Sequence, residues 1–295
     1  PAVCLALMIR QKAPIFKGTI LIATQCAASF LAGIIAYGIL NSKWSNVGYP
    51  QYGGSWERPF LAEMLQTFAL TTTVLGAATA KANDGKSFFA IAIGFVVLSG
   101  AITIGGVSGG CFNPAVAMLT LLQGNVSDFV TYIVSCSLGG ICAGLVFHIT
   151  NPNKFEPNNP VLNILGLSND LNDSKTKRIS ALVMEFIGTF YLVWIVSLSV
   201  NAQFPSYGGI AIGAILMSMI FAGGHVSGAH YNPCVTLGVY LRGKDEQPPL
   251  ISAMDALLYM GAQVMAAFCA AGCAAYVNGG TNMIASPGVN SSYTT

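Results

Sequence analysis

The sequence predicts an all-α membrane protein, built of long apolar helices and two short half-helices that dip in from opposite faces. Three observations carry that reading. First, 54% of the 295 residues are apolar and 8% are charged, against about 25% charged in a soluble domain. A chain so poor in charge cannot clothe a core in a solvated shell, so its solvent is largely lipid. Second, seven apolar runs approach or exceed the length that crosses a bilayer. Third, one glycine-rich motif occurs twice: Gly105-Gly106-Val107-Ser108-Gly109-Gly110-Cys111-Phe112-Asn113-Pro114-Ala115-Val116 and Gly224-His225-Val226-Ser227-Gly228-Ala229-His230-Tyr231-Asn232-Pro233-Cys234-Val235.

The runs are 18–40, 59–80, 88–105, 129–150, 179–200, 208–224 and 249–277. A span takes about 20 apolar residues, so 88–105 and 208–224 are short alone and rest on the motifs next to them. The polar connectors are 41–57, 81–87 and 151–178, the last being the longest and the best unit boundary. The tail, 278–295, is rich in Gly, Asn, Ser and Thr and is expected to be loose. In each motif an Asn caps a helix start, and Pro comes next, where its missing N–H is no loss. The second motif predicts a short helix over Val235–Arg242. Two capped half-helices between long apolar runs are the mark of a pore built from inverted repeats.

A third, partial copy opens the chain. Pro1, Val3, Leu5, Arg10 and Lys12 recur as Pro233, Val235, Leu237, Arg242 and Lys244, and Gln25 answers Gln263. The sequence therefore starts inside a repeat unit. If each half-helix returns to its own side and each span crosses once, 11 of the 13 basic residues share one face, with only Lys43 and Arg58 opposite. That face is cytoplasmic by the positive-inside rule. The loop before Asn232 then dips in from the cytoplasm and the loop before Asn113 from the other side.

Several classes are not expected. The net charge of +2 comes with no basic, aromatic-laced patch, so no nucleic-acid partner is read. The eight cysteines lie at 4, 26, 111, 136, 142, 234, 269 and 273, with no zinc-site or disulfide-scaffold spacing. His148, His225 and His230 lack partners at ligand spacing, so no metal and no cofactor are expected. No nucleophile–base set suggests an enzyme.

These motifs resemble the aquaporin (major intrinsic protein) family over nearly all of 1–277. The resemblance implies a right-handed bundle with two re-entrant half-helices that meet at mid-membrane. Residues 178–277 resemble a first half, 58–150 a second half, and 1–42 the end of an earlier first half. Residues 151–177 link them on the cytoplasmic side. This is the order of a window cut from two such proteins in tandem, or of a truncated one. A barrel could pair 58–150 with 178–277, or each with halves from elsewhere. Three departures stand out: Cys234 in place of Ala, Val116 where many members carry Arg, and Cys111 where the other copy has His230.

The pore motif is then Asn113, Pro114 and Ala115 with Asn232, Pro233 and Cys234. Two amide donors and two half-helix N-termini, each worth about half a positive charge, would repel cations and break a proton wire. Glu63 and Glu185 lie at matching places in apolar runs, where a bare carboxylate costs ~2.5–3.5 kcal/mol or more. They are expected to hold the re-entrant loops, with help from His225 and His230. By resemblance the constriction is Ala101, Gly110, Val116 and Ile212, apolar and wide. That would admit glycerol, urea, ammonia or hydrogen peroxide beside water. Cys111 is a candidate mercurial site, with a buried, unreactive thiol as its alternative. Gly139, Gly140 and Gly144, and Gly209 and Gly213, are spaced for close helix contact. The resemblance implies a homotetramer or an assembly with other halves. Asn125-Val126-Ser127 and Asn290-Ser291-Ser292 have the glycosylation pattern. The rival reading is a non-conducting structural or junction protein that keeps the barrel and plugs the pore.

Overall fold

The computed structural model describes residues 1–40, 48–80, 83, 89–152, 159–168, 173–199, 205–243, 246 and 248–280. Most of connector 81–87 and of the tail, parts of the other two connectors, and Lys43, Lys81, Lys86, Lys154, Lys244 and Asn290 lie outside them. In chain order the helices are α1 (Ala2–Ile9), α2 (Ile15–Ile39), α3 (Glu57–Thr79), α4 (Phe89–Ser108), α5 (Met118–Leu122), α6 (Val126–Thr150), α7 (Pro160–Ile164), α8 (Ser174–Ser199), α9 (Gly208–Ser227), α10 (Pro233–Gly243) and α11 (Ala253–Asn278). Helices α2, α3, α4, α6, α8, α9 and α11 are long and apolar enough to cross a membrane, one for each predicted run.

Local chemistry sets where they begin and end. Asn125 starts α6 by accepting the Asp128 N–H at 3.2 Å, three residues before the apolar run. Ser252 does the same for α11 with Asp255 at 3.0 Å. Helix α9 runs on to Ser227 and stops at Gly228, whose φ of 87° closes it with an N–H to the Gly224 carbonyl at 3.0 Å. Glycine adopts that left-handed conformation without a Cβ clash.

The centre of the molecule is an antiparallel pair, α4 and α9. The two align without a gap, residue for residue at an offset of 119. Ser99 Oγ donates to the Ala211 carbonyl at 3.0 Å, and its counterpart Ser218 donates to the Ala92 carbonyl at 2.8 Å. Such reciprocity is what a two-fold relation between inverted repeats requires. Helix α3 crosses α9 with Gly76 against the Ala222 backbone, and Tyr191 of α8 donates to the Leu65 carbonyl of α3 at 2.7 Å. The core between them holds Trp194, Tyr191, Met184, Ile215, Met219 and Ile104. Residues 58–150 and 178–277 thus share one apolar core.

Helix α1 lies along α6, where Gly140 faces Ala2, and Gly144 faces Ala6 and Ile9. Gly139 faces the α3 backbone at Met64 and Phe68. Three predicted small residues therefore sit at helix contacts. Gly209 and Gly213 differ: a Cβ there would meet nothing within 4 Å. Arg10, at the end of α1, lies 4.5 Å over the Phe147 ring and donates to the Thr79 carbonyl at 2.9 Å. Helix α2 buries only Gly18 and Gly33, the latter against Leu119 and Leu122 around α5.

Candidate pore motifs

The two loops carry the same backbone. Gly109 and Gly228 have φ of 76° and 87°, Gly110 and Ala229 of 68° and 55°, and Phe112 and Tyr231 of 51° and 50°. Three of these six left-handed residues are not glycine, which costs about 1–3 kcal/mol each. Something must over-determine the loops, and in both it is a buried carboxylate.

Glu63, with no exposed surface, reaches up from α3. Its Oε1 accepts Ser108 Oγ at 2.7 Å and the Cys111 N–H at 2.8 Å. Its Oε2 accepts the Phe112 N–H at 2.6 Å and the Cys136 thiol at 3.6 Å. Glu185 on α8 repeats the set: Ser227 Oγ at 2.6 Å, the His230 N–H at 2.9 Å, the Tyr231 N–H at 2.7 Å and Gln263 Nε2 at 2.8 Å. Hydrogen bonds to a charged group contribute ~1.5–3 kcal/mol each, enough together to offset the strain of one loop. A tyrosine completes each loop from the outer helix. Tyr132 donates to the Ser108 carbonyl at 2.6 Å and Tyr259 to the Ser227 carbonyl at 3.0 Å.

Both asparagines cap. The Oδ1 of Asn113 accepts the Ala115 N–H at 3.2 Å, and that of Asn232 accepts the Cys234 N–H at 2.8 Å. The oxygen is thus the capping atom, which leaves the amide nitrogen as each side chain's donor. The half-helices beyond the caps differ. After Pro233 the chain enters α10 directly. After Pro114 it passes through tight turns, such as Val116 N–H to the Asn113 carbonyl at 2.9 Å, before the single turn of α5.

Their surroundings differ more. Cys111, Phe112, Pro114, Ala115 and Ala117 are buried and Asn113 is half-buried. Asn232, Cys234, Val235, Leu237 and Leu241 are exposed, and α10 buries only Thr236 and Gly243. Helix α10 rests on α11, whereas the Asn113 loop packs against Glu63 of α3 and Tyr132 of α6, with Tyr52 and Phe129 beside it.

Of the expected constriction residues, Ala101 is exposed and lines a cavity of about 390 Å³ with Leu98, Ile102, Tyr207 and Ile210. Ile212 packs against the core, Gly110 is half-buried on its loop, and Val116 packs with Cys111, Ala117 and Tyr132. His225 reaches away from its loop, with Nε2 2.9 Å from Asn151 Oδ1 at the end of α6. His230 stays with the loop through Thr236 Oγ1 at 3.1 Å. Cys111 is 3% exposed and donates its thiol to the Asn113 carbonyl at 3.3 Å. Sequence reasoning missed Ser108, Ser227, Tyr132, Tyr259, Cys136 and Gln263. The signal was present: the offset of 119 that aligns α4 with α9 pairs Ser108 with Ser227, and aligning Asp128 with Asp255 pairs Tyr132 with Tyr259 and Cys136 with Gln263.

Comparison with known proteins places the chain in a family. The family described as Major intrinsic protein matches residues 1–105, 88–206 and 197–294. Aquaporin NIP3-1 of Arabidopsis thaliana is 29% identical over 67% of this chain and 62% of its own length. Aquaporin Z of Brucella melitensis biotype 1 is 30% identical over 61% of the chain and 82% of its own length. Glycerol uptake facilitator protein-like 6 of Lactiplantibacillus plantarum is 29% identical over 72% and 96%. The chain thus spans less than two thirds of the first of these relatives. No solved structure matches significantly. With seven apolar helices long enough to cross a bilayer and family matches from end to end, the chain is an integral, multi-pass membrane protein and belongs to the major intrinsic protein family.

Proposed function

We propose that the chain forms a passive channel for water and small neutral solutes, and that it excludes ions and protons at its Asn-Pro half-helix ends. One observation carries this reading. Two loops of opposite entry hold the same left-handed backbone, each pinned by a buried glutamate and each ending in an asparagine cap. Irregular backbone at membrane depth is tolerated where it is buried in protein or lines a wet cavity. An asparagine whose oxygen caps its helix offers its amide N–H to a passing water oxygen. That orients the water and interrupts a proton wire.

The chain's two half-helices serve different pores in this reading. The Asn113 loop is half-buried, with α1 packed on the neighbouring α6 and α2 on α5, while Asn232 and the apolar face of α10 lie exposed. Residues 58–150 therefore take residues 1–42 as part of their partner half. Residues 178–277 take a second half from outside residues 1–295, a second copy included. The constriction keeps Ala101, Gly110 and Val116, apolar and without an Arg side chain, so solutes wider than water pass.

The test is solute flux into vesicles carrying the full chain, read by light scattering. Water and glycerol should both move faster than through protein-free lipid. Water moving alone would remove the wide-filter part of the reading. No flux from protein shown to be folded would favour the plugged junction protein.

A further inference from the structure

Three side chains far apart in the sequence meet beside the Asn113 loop. A carboxylate oxygen of Glu63 and the sulfurs of Cys111 and Cys136 all lie within 4.8 Å of one another, and all three residues are buried. The other repeat shows what the fold needs at these places. Cys111 answers His230, and Cys136 answers Gln263. Gln263 donates to Glu185 at 2.8 Å, while the Cys136 thiol reaches Glu63 at only 3.6 Å. Two touching positions thus hold thiols where the other repeat holds imidazole and amide, at the loss of the better hydrogen bond. Filling apolar space accounts for one buried cysteine, but not for two converging on a carboxylate.

We propose that Glu63, Cys111 and Cys136 form a binding site for a thiophilic divalent cation of the zinc type. Binding exchanges one dication for the two thiol protons: M²⁺ + 2 Cys–SH → M(S–Cys)₂ + 2 H⁺. The buried charge is the same before and after. A monovalent soft ion held by both thiolates would leave one more buried negative charge, which the low-dielectric interior penalises. With Zn–S of about 2.3 Å and Zn–O of about 2.0–2.2 Å, tetrahedral ligand atoms stand roughly 3.5–3.8 Å apart; Cys136 Sγ and Glu63 Oε2 already do at 3.6 Å, and the full set, within 4.8 Å, needs side-chain closure of about 1 Å at most. Glu63 keeps its work on the loop. Its bonds to Ser108, Cys111 N–H and Phe112 N–H stay, and the Oε2 lone pair now facing the Cys136 thiol is the one released when that thiol ionises. Exposed Gly109 and half-exposed Gly110 bring solvent close to Cys111. The bound ion ties the loop, two residues before Asn113, to α3 and α6. The site stands on side-chain geometry and does not depend on the permeation proposed above.

The experiment titrates Cd²⁺ into the reduced, chelator-treated full chain with the other six cysteines changed to Ala. It reads thiolate-to-cadmium absorption and proton release. Expected are one cadmium per chain, two protons released, displacement by Zn²⁺, and loss of the absorption in Cys136→Gln, which installs the residue of the other repeat and keeps the thermal unfolding profile. If the six-fold variant does not fold, wild type against Cys136→Gln in the native chain should differ by one cadmium. No thiolate-to-cadmium absorption in the folded chain, absorption that survives Cys136→Gln, or fewer than two protons per ion would overturn the site.

Discussion

At the scale of single residues the decisive pair is Glu63 and Glu185. Each satisfies two backbone N–H groups of a strained loop. Orphaning a buried donor costs about 1–3 kcal/mol, so Glu185→Ala should destabilise by roughly 2–6 kcal/mol, read as a lowered unfolding temperature in detergent. Glu185→Gln should cost less, since its amide oxygen still accepts one of the two. Equal losses for the two variants would show that the loop is held by something else. Tyr132→Phe removes one neutral hydrogen bond to the Ser108 carbonyl and should cost about 1 kcal/mol. The glutamates were legible because they recur before each motif in apolar runs that give a carboxylate no other excuse. The reach of His225 to Asn151 was not, since nothing in 225–236 names a partner 74 residues away. Nor was the Cys111–Cys136 meeting: those positions lie on different elements, and zinc-site spacing rules describe only local ligand pairs.

At the scale of elements, helix crossings depend on missing side chains. Gly76 lies on the Ala222 backbone, and Gly140 on that of Ala2. Gly76→Val must push α3 from α9, and overpacking of this kind costs about 1–3 kcal/mol. Gly213→Val, where a Cβ meets nothing, should be nearly neutral. Thermal unfolding of the two variants in detergent checks the contrast, and equal behaviour would mean that the α3–α9 crossing is looser than described. Element existence was legible because seven apolar runs can hardly be anything but spans. The starts were less so: Asn125 and Ser252 shift α6 and α11 by a few residues through single capping bonds. Spacing alone could not separate Gly139 and Gly140, which touch neighbours, from Gly209 and Gly213, which do not. A small residue permits close approach without requiring it.

At the scale of the whole molecule, the repeats explain the architecture. Ser99 and Ser218 exchange equivalent bonds across α4 and α9, so the two units are joined as inverted copies would be. The sequence showed the order of the units but left open which halves close a pore. That choice depends on which surfaces are covered, and the contrast between the half-buried Asn113 and the exposed Asn232 is what supports the pairing proposed above. The exposed apolar faces of α2 and α10 predict association: the chain should run as an oligomer in mild detergent by light scattering, and a strict monomer would count against shared pores. The most direct measurement of the central claim is osmotic water flux into vesicles, comparing the wild-type chain with a Glu63→Ala/Glu185→Ala variant inserted to the same level. The account predicts fast flux for the wild type and a fall towards bare lipid when both loops lose their anchors. Wild-type flux no faster than bare lipid, or unchanged flux in the variant, would contradict it.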